Sequence, residues 1–417
     1  ILYTSGTTGE SKGVMLTYGQ YEAALKANDE VVPLKESDRV IQFLPITHIF
    51  ERGWSYLAFS EGCHIIINTN PHDIQQSMRE THPTCMSSVP RFWEKVYQAV
   101  LDKIDRSSVA KQRLFRHALE VGRRYNIDCK SRCKRPSPLL AMEYKLFDKM
   151  ILRLVRKQIG LENAHLFPTA GATVSPAVER FVHSVGINMI VGYGLTESLA
   201  TVSCDREDMQ FTIGSVGRPI NGLQVKIGDN DEILLKGPTI TPGYYKREAA
   251  NQEAFTEDGF FRTGDAGYMK NGELFLTDRI KDLFKTSNGK YIAPQMIESL
   301  LLVDKFIDQV IVIANERKFV SALIVPEFRL VEEWAKDHGI AFESREDLCA
   351  NAKVHKMMMD RIQTLQQQLA HYEQIKRFTL IAHHFSMESG ELTNTLKIRR
   401  PVIYKNFKEV VDKMYEE

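Results

Sequence analysis

The chain has 417 residues, 43% hydrophobic and 26% charged, which is the composition of an ordinary globular protein with enough length for two or three domains. Its apolar runs are too short to span a membrane, no signal peptide is visible, and its six cysteines form no C-x-x-C pair and no zinc-ligand spacing. These features exclude a helical transmembrane protein and a cysteine-bound zinc site, and they favour a reducing, cytoplasmic compartment. The chain begins without Met, inside an apolar run, so we expect a longer protein whose N-terminal part is missing here.

The first seventeen residues, ILYTSGTTGESKGVMLT, open with an apolar run that predicts the end of a buried strand. Hydroxyl side chains, glycines and one lysine follow, and together they can turn N–H groups and a positive charge toward a polyphosphate: Thr4, Ser5, Gly6, Thr7, Thr8, Gly9 and Lys12. The stretch is not the common P-loop, because the second glycine and the final hydroxyl of that pattern are missing. A Ser/Thr/Gly surface loop is the alternative interpretation.

Residues 18–89 alternate between helical and strand patterns. A helix is predicted over 18–32, and buried strands are predicted over 38–44, 63–68 and 84–89. A polar helix is predicted between the second and the third of these strands. Strands alternating with helices predict a parallel α/β sheet. His48 follows a proline turn in LPITHIFERGW, and a histidine in such an apolar setting is usually a structural residue.

Residues 90–160 read as a long helical region, because apolar residues recur with a period near 3.6, as in Leu146, Met150 and Leu154. Residues 101–160 hold sixteen basic and six acidic side chains, a net charge of +10 in a chain whose total is +1. This asymmetry favours an anionic partner, such as a membrane surface, a nucleotide tail or nucleic acid, over this segment. The alternative interpretation is that these basic residues form a helix face that is simply exposed to solvent.

Two stretches of the next region place small residues at strand ends. PTAGATVSPAVERF follows a short strand predicted over 164–167, puts Gly171 and Ala172 at its end, and begins a helix at Ser175-Pro176. GYGLTES (residues 192–198) follows a strand predicted over 187–191, at the edge where open α/β sheets bind ligands. Tyr193 is suited to stack on a base, and Glu197 is suited to hold Mg²⁺.

From residue 214 onward, short strands and turns predict an antiparallel sheet or small barrel. Within it, GFFRTGDAG puts Asp265 in a glycine-flanked turn, where it can accept two hydrogen bonds from a ribose diol or simply serve as a turn residue. A charged stretch over 278–294 reads as a domain junction, and a small α/β domain follows it. Lys397 lies on a loop before the last helix, where a lone lysine is normally solvated.

Taken in order, these stretches resemble the adenylate-forming superfamily of acyl-CoA synthetases, luciferases and peptide-synthetase adenylation domains, over essentially the whole chain. The resemblance makes YTSGTTGESKG the phosphate loop, with Ser11 where proline is usual. It implies that adenine is bound by Gly171 and Ala172 together with Gly192, Tyr193 and Gly194, and that ribose is bound by Asp265 and Arg279. It further implies that Thr196 lies near the α-phosphate and that Glu197 is the Mg²⁺ ligand. Lys281 then matches the hinge, Gly289 the backbone position near the thiol acceptor, and Lys397 the catalytic lysine.

Within that superfamily, LPITHIFER, VPRFWEKVY, the basic helical region and LTNTLKIRRP are similar to long-chain fatty acid–CoA ligases, and His48 then falls at the acyl entrance. Asn394 and Leu396 depart from the superfamily pattern of proline and glycine, although long-chain enzymes often carry leucine at the second position. The implied fold is α/β, with a large adenylation domain of parallel sheets and a small β-barrel-like subdomain over 1–278 and a mobile C-terminal lid domain over 279–417.

The resemblance implies a magnesium-dependent ligase of fatty acid metabolism that converts a fatty acid, ATP and CoA into acyl-CoA, AMP and pyrophosphate. A fatty acyl–AMP ligase serving a carrier protein, and a non-catalytic nucleotide- or membrane-binding remnant, are the alternatives. We expect no nucleic-acid partner and a weak association of residues 101–160 with an anionic membrane, at the inner face of a membrane facing the cytoplasm. Chain-length preference and oligomeric state do not follow from the sequence.

Overall fold

A computed structural model describes residues 1–4, 11–70, 73–206, 210–280, 282–287, 290–393 and 398–416. The chain forms two compact units, one containing residues 1–4 and 11–276 and the other beginning at residue 277. Within the described residues, no helix is both long enough and apolar enough to cross a bilayer. All six cysteines are free thiols.

The first unit contains both helices and strands. Its helices are α1 Tyr18–Asp29, α2 Ile49–Ser60, α3 Ile74–Thr81, α4 Pro90–Asp105, α5 Val109–Arg123, α6 Pro138–Phe147, α7 Arg153–Ile159, α8 Pro176–Ser184 and α9 Glu248–Ala254. Its strands are β1 Leu2–Tyr3, β2 Gly13–Val14, β3 Arg39–Gln42, β4 His64–Ile67, β5 Cys85–Met86, β6 Phe167–Thr169, β7 Met189–Tyr193, β8 Ser203–Cys204, β9 Arg218–Pro219, β10 Gln224–Ile227, β11 Glu232–Lys236, β12 Phe261–Lys270 and β13 Glu273–Arg279. The four helices α4 to α7 follow one another without an intervening strand.

A parallel sheet forms the centre of this unit, as predicted. Its strands β4, β3 and β5 pair in parallel, parallel bridges join β5 to β6, and β6 pairs in parallel with β7. Two short antiparallel strands, β8 and β9, extend it. The prediction that β4 is buried is wrong: Ile67 is 72% exposed, because β4 lies at the end of its strand order.

The N-terminal strand is also less buried than predicted. β1 forms an antiparallel pair with β2, in which Leu2 faces Val14 and Tyr3 faces Gly13. Leu2 is buried, whereas Ile1 and Tyr3 are more than half exposed. Successive residues of a strand point to opposite sides, so the apolar run marks a strand with only one covered face.

The helical region over 90–160 forms as predicted but is interrupted by π-helical turns at Arg124–Cys129 and Asp148–Leu152 and by a 3₁₀ turn at Lys130–Arg132. The strand after it lies at Phe167–Thr169, later than the predicted 164–167. Trp93 of α4 anchors this region, because its fully buried indole N–H lies 2.8 Å from Ser88 Oγ and 3.0 Å from Thr169 Oγ1. Truncating such a buried tryptophan typically costs about 3–5 kcal/mol of unfolding free energy.

An antiparallel sheet with strand order β10-β11-β12-β13 completes the first unit, in agreement with the predicted change of pattern after residue 214. Inward-facing residues of this sheet and of the parallel sheet share one apolar core, which includes Ile190, Ile233, Leu235 and Leu274.

The second unit is a small α/β domain. Its helices are α10 Pro294–Leu301, α11 Phe328–Asp337, α12 Arg345–Ala350, α13 Ala352–Leu365, α14 Arg400–Asn406 and α15 Lys408–Lys413. Its strands are β14 Phe284–Lys285, β15 Tyr291–Ile292, β16 Ile307–Ile313, β17 Val320–Pro326 and β18 Ile375–Leu380. β16 and β17 form an antiparallel pair, β18 joins β17 in parallel, and apolar residues of the helices cover both faces.

Candidate functional site

The loop after β7 is the most constrained stretch of the predicted nucleotide site. β7 ends at Tyr193, and a Cβ atom on Gly194 would lie 1.4 Å from the carbonyl oxygen of Ala200. Only glycine fits there. Leu199 and Ala200 both adopt positive φ angles, +54° and +80°, in a region that L side chains rarely occupy. Paired strain of this kind is typical of functional loops.

Tyr193 and Asp265 form a buried pair at this edge of the sheet. The Tyr193 hydroxyl donates to Asp265 Oδ2 over 2.6 Å, and both side chains are more than 90% buried. The pair brings together two residues that lie 72 positions apart in the sequence. This hydrogen bond fixes the direction in which the Asp265 carboxylate faces.

The predicted turn around Asp265 is wrong, since the residue lies inside the ten-residue strand β12. Gly264 has a φ of +70°. The register between β11 and β12 shifts nearby, where Glu232 faces Ala266 but Leu234 faces Arg262. The glycine therefore makes a bulge rather than a turn, and bulges commonly re-aim a side chain beside an active site.

The predicted phosphate loop is closed at its base. The Thr4 N–H donates to the Lys12 carbonyl over 3.0 Å, continuing the β1–β2 ladder. The predicted phosphate contacts of Ser5, Gly6, Thr7, Thr8 and Gly9 lie outside the described residues. The two ends of the loop are thus held as neighbours, which is the arrangement that a tight anion-binding loop requires.

Sequence reasoning missed Tyr244, which joins Lys12 to Glu197. The Tyr244 hydroxyl donates to Glu197 Oε1 over 2.8 Å, and the Lys12 ammonium lies 4.8 Å from the centre of the same ring. Burial, and then the nearby Glu197 carboxylate, raise the pKa of Tyr244, so this hydroxyl stays a proton donor. The ring therefore contacts a cation on its face and a carboxylate at its edge.

Backbone pairing places Tyr244 there. Met15 N–H donates to the Gly243 carbonyl and Tyr245 N–H to the Gly13 carbonyl, so residues 243–245 run beside β2. Thr241 N–H donates to the Glu197 carbonyl over 2.7 Å, which ties the same segment to the loop after β7. The double tyrosine in a Pro-Gly turn is the signal that could have drawn attention to this segment.

Three further predicted residues lie at this edge. Thr196 accepts a backbone bond from Leu199 through its carbonyl oxygen, and its side chain is partly exposed. Gly171 and Ala172 follow β6, are exposed, and Gly171 has a φ of +95°. A Cβ atom on Gly171 would approach only Val89, at 3.9 Å, so the space beside this backbone is open enough for a flat ring.

A largely apolar cavity opens beside the same strand ends. The space it encloses is about 690 Å³ when the open solvent at its mouth is included. Helices α1 and α2 supply much of its wall, and β6, β7 and the loop after β7 supply the rest; the lining includes Tyr21, Leu25, Asn28, Phe50, Gly53, Trp54, Leu57, Thr169, Ala170, Gly192, Tyr193, Leu199 and Thr201. The cavity thus reaches the residue whose hydroxyl binds Asp265.

His48 begins α2 and caps it. Its Nδ1 accepts the Phe50 N–H over 3.3 Å, which satisfies one of the orphan donors at the helix start. The helix that it caps contributes Phe50, Gly53, Trp54 and Leu57 to the cavity. The acyl-entrance role of His48 remains a prediction, and its observed contact is a structural one.

A buried polar cluster lies behind β7. Glu179 accepts the Gly214 N–H over 3.0 Å and Asp205 accepts the Val191 N–H over 3.2 Å, while His183 stacks on Phe211. Burial raises the pKa of Glu179 to about 8 and lowers the pKa of His183 to about 3. Burial, together with the neighbouring Glu179 charge, also raises the pKa of Asp205 well above its usual range. Burial in the folded protein therefore disfavours the charged form of each of these groups.

The opposite edge of the sheet holds Asp38, Cys85 and His165, although the sequence spacing of the cysteines predicted no such cluster. His165 Nε2 lies 2.8 Å from Asp38 Oδ1 and 3.4 Å from Cys85 Sγ. Thr84 also donates to Asp38 Oδ1 over 2.7 Å. These side chains satisfy one another and link the starts of β3 and β5 to the chain before β6.

Arg279, one of the residues predicted near the start of the second unit, is the last residue of strand β13. The Arg279 N–H donates to Asp278 Oδ1 over 2.7 Å, and burial raises the pKa of Asp278 to about 6. Lys281, Gly289 and Lys397 lie outside the described residues. Their flanks are ordered by pairing: β14 with β15 around Gly289, and Leu392 with Ile398 around Lys397.

A buried ion pair holds the chain just after Lys397. Arg400 Nη2 lies 2.6 Å from Glu298 Oε2, and Glu298 Oε1 accepts the Val312 N–H over 2.7 Å. Both charged side chains are nearly buried, and every carboxylate oxygen is hydrogen-bonded, which is the condition under which a buried pair is tolerated. The helix after the lysine loop is therefore firmly attached to the small domain.

The residues near Glu197 fit a magnesium ion. Mg²⁺ typically takes one or two carboxylates and completes its shell with water and substrate phosphates. Glu197 supplies one carboxylate, held in place by the Tyr244 hydroxyl, and the Lys12 ammonium lies over the face of the same ring. When bound, the ion would neutralise phosphate charge beside Glu197.

Comparisons with known proteins identify the family of the chain. The family model described as "AMP-binding enzyme" matches residues 1–245, and "AMP-binding enzyme C-terminal domain" matches residues 281–417. The chain is 30% identical to long-chain-fatty-acid–CoA ligase FadD15 of Mycobacterium bovis and 31% identical to the peroxisomal long chain acyl-CoA synthetase 6 of Arabidopsis thaliana. Both alignments cover all of this chain but only 69% and 60%, respectively, of those relatives.

A solved structure shares the fold. The adenylation domain of a carboxylate reductase from Mycobacterium chelonae superposes with a TM-score of 0.75 at 23% identity, covering 100% of this chain and 60% of that one. This likeness supports the α/β architecture with a separate C-terminal domain that the sequence predicted.

Proposed function

The chain belongs to the AMP-binding enzyme family of adenylate-forming proteins, and from that premise we propose that it activates a long-chain fatty acid with ATP and transfers the acyl group to CoA. The observation that carries the proposal is the apolar cavity whose lining includes Gly192 and Tyr193. An alkyl chain in this cavity would direct its carboxylate toward the strand edge where Tyr193 binds Asp265. Substrate and nucleotide would then meet at one strand end.

In the first step, a carboxylate oxygen attacks the α-phosphorus of ATP, the bond to the bridging oxygen breaks, and pyrophosphate leaves. This step demands positioning and charge neutralisation. Asp265 and Arg279 hold the ribose, Tyr193 and the Gly171-Ala172 backbone hold the adenine, and Thr196 contacts the α-phosphate. Lys12 and Lys397 neutralise charge on the phosphates. These roles rest on the family resemblance and on the contacts of Tyr193, Asp265 and Lys12.

In the second step, the CoA sulfur attacks the acyl carbon, loses its proton, and releases AMP. We propose that the small domain turns about Lys281 between the steps, so that the Gly289 segment replaces Lys397 beside the adenylate. Separate use of two segments lets each transition state have its own set of contacts. The unit boundary at residues 276–277 lies close to this hinge and to the domain boundary predicted at 278–279.

The direct test is pyrophosphate release from ATP and palmitate, with and without CoA. Turnover that requires CoA supports the ligase. A single burst that ignores CoA supports a fatty acyl–AMP ligase, and silence with every fatty acid contradicts the proposal. Lys397→Ala should slow adenylation about 10²- to 10³-fold while leaving thioester formation from preformed acyl-adenylate nearly unchanged. Lys405→Ala, an exposed lysine of α14, is the matched control.

The cavity can be tested separately at Gly53 of α2. A Cβ atom there would lie 3.5 Å from Ala200 Cβ, an ordinary contact, so Gly53→Ala should keep activity. The Gly53→Leu side chain would extend into the cavity. We expect it to reduce activity with palmitate about tenfold more than with octanoate, because a substrate loses binding free energy for each methylene that the pocket no longer accepts. Equal loss with both acids would contradict the assignment of the cavity to the acyl chain.

A further inference from the structure

The helical run over 138–159 turns an apolar row toward solvent. Leu139, Met142, Leu146, Met150 and Leu154 are all between 51% and 70% exposed. Large apolar side chains that are exposed singly are ordinary, but five on one helix form a contiguous patch. The opposite side of the run is packed, since Leu140 and Leu152 are buried and Tyr144 stacks on Tyr125 at 4.0 Å between ring centres.

The π-helical turn keeps this row straight. In an α-helix, residues four apart are separated by roughly 400°, so a row with a spacing of four drifts by about 40° at each step. In the wider i→i+5 turn at Asp148–Leu152, each residue rotates about the helix axis by a smaller angle than in an α-helix. This smaller rotation offsets the drift of the row. Leu146, Met150 and Leu154 therefore stay on one side of the helix.

A basic row runs beside the apolar row. It consists of four exposed side chains, Lys145, Lys149, Arg153 and Lys157. The first three are adjacent in sequence to Leu146, Met150 and Leu154 of the apolar row, and the fourth is adjacent to the exposed Gln158. Among the described residues they have no ion-pair partner. We call these four residues, together with the apolar five, the outer face.

The acids of the same run do not share the outer face. Glu143 lies 3.1 Å from His117 Nε2, and Asp148 lies 2.7 Å from Arg156 Nη1. Both carboxylates are thus engaged by neighbouring side chains. The outer face therefore combines apolar residues with uncompensated positive charge, within a segment whose net charge is +10.

We propose that the outer face docks on an anionic phospholipid surface. The positive row selects negative headgroups, and the apolar row enters the boundary between headgroups and acyl chains, as interfacial helices do. A protein partner would match the apolar row equally well, but the charge of the neighbouring row and of the segment favours a continuous anionic surface. The inference goes beyond the proposed function, because it concerns a face outside the cavity and the nucleotide site.

The test is flotation of the intact protein with vesicles of phosphatidylcholine, or of phosphatidylcholine and phosphatidylglycerol in equal parts. We expect binding to the anionic vesicles only, and loss of most binding at high salt. Lys145→Gln/Lys149→Gln/Arg153→Gln should weaken partitioning roughly 100-fold, since each charge contributes roughly fivefold. Leu146→Gln/Met150→Gln/Leu154→Gln should weaken it at least about tenfold.

Two matched variants control for charge and for apolar surface. Lys353→Gln/Lys356→Gln/Lys408→Gln removes three exposed lysines of the small domain, and Phe59→Gln/Ile67→Gln removes exposed apolar residues far from the outer face in sequence. Both should bind vesicles like the parent. All variants should retain pyrophosphate release with detergent-dispersed palmitate, so failure of docking and failure of the proposed function are distinguishable.

Three results would overturn the proposal. The first is unchanged flotation of both outer-face variants, and the second is equal binding to neutral and anionic vesicles without a salt effect. The third is the absence of vesicle binding together with a self-association in sedimentation that the apolar variant abolishes, which would assign the outer face to a second copy of the chain.

Discussion

The candidate nucleotide site contains two tyrosine–carboxylate pairs, and they differ in what surrounds them. Tyr193 and Asp265 are both buried, and Tyr193 also lines the apolar cavity. Tyr244 and Glu197 lie beside Lys12, at the base of the predicted phosphate loop. Under the proposed function, the first pair would hold the ribose diol and the second would lie beside the phosphates. The same two side-chain types thus lie in different electrostatic surroundings, because the second pair has Lys12 beside it.

The two pairs also differ in how they are anchored. Asp265 is aimed by a bulge at Gly264 inside one sheet. Tyr244 is aimed by a segment that pairs with β2 and also bonds to the loop after β7. The second pair therefore depends on contacts among three separate stretches, and it should be more sensitive to changes in the phosphate loop.

Gly194→Ala should disrupt both pairs together and has the largest expected effect. Its Cβ atom would collide with the Ala200 carbonyl, forcing the loop between Tyr193 and Glu197 to move. A displacement of about 1 Å in such a loop can cost 10²-fold or more in rate. Adenylation measured by pyrophosphate release should fall at least that much. Gly19→Ala, where nothing lies within 4 Å of the new Cβ, should be silent; parent-like activity in Gly194→Ala would contradict the packing described.

Asp265→Ala should act on the first pair alone. Losing hydrogen bonds to a charged group typically costs about 1.5–3 kcal/mol, so the KM for ATP should rise roughly 10- to 150-fold with a smaller change in kcat. Initial rates at varied ATP concentration measure both values. Asp258→Ala removes an exposed aspartate paired with Lys226 and serves as the control. A kcat loss at unchanged KM would mean that Asp265 does not bind the ribose.

Tyr244→Phe should act on the second pair alone. It removes the hydroxyl that positions Glu197 but keeps the ring under Lys12, so kcat should fall about tenfold, the scale of one net hydrogen bond. The Mg²⁺ concentration giving half-maximal rate should rise, which a purely structural role would not produce. Tyr245→Phe, the exposed neighbour, is the control. A change confined to the KM for ATP would erase the distinction between the two pairs.

Glu179→Gln should leave both pairs intact and change only stability, with the smallest effect on activity. The folded pKa of Glu179 is raised to about 8 from an ordinary value of 4.5, so the parent loses stability as pH rises from 4.5 to 8, where only the unfolded chain releases this proton. The stability advantage of Glu179→Gln over the parent should therefore grow across that range. Thermal melts at several pH values measure it, with exposed Glu22→Gln as the flat control.

The sequence predicted the first pair more completely than the second. Tyr193 and Glu197 lie in one short motif at a strand end and Asp265 lies in another, so local patterns were enough to select all three as candidates. Tyr244 carries no local signal of function, because its position depends on the pairing of residues 243–245 with β2, far away in the chain. Long-range register is the information that residue patterns alone lack.

Burial was the other property that patterns predicted poorly. The runs at β1 and β4 are apolar and form strands, yet each has exposed residues because pairing leaves one side or one edge uncovered. Likewise, the period of Leu146, Met150 and Leu154 predicted a helix correctly, but it carried no information on which side the row would face. Periodicity defines a stripe, and the rest of the fold decides what covers it.

The π-helical turn at Asp148–Leu152 has a consequence for how this helix can change. Deleting one residue there would restore α-helical hydrogen bonding and rotate α7 by about 100° relative to α6. Leu154 and Arg153 would then leave the side occupied by Leu146 and Lys145, although no surface side chain had been altered. The alignment of the outer face thus depends on the number of residues in the π-helical turn as well as on which residues are present. Deleting a single residue there would move part of the outer face to another side of the helix.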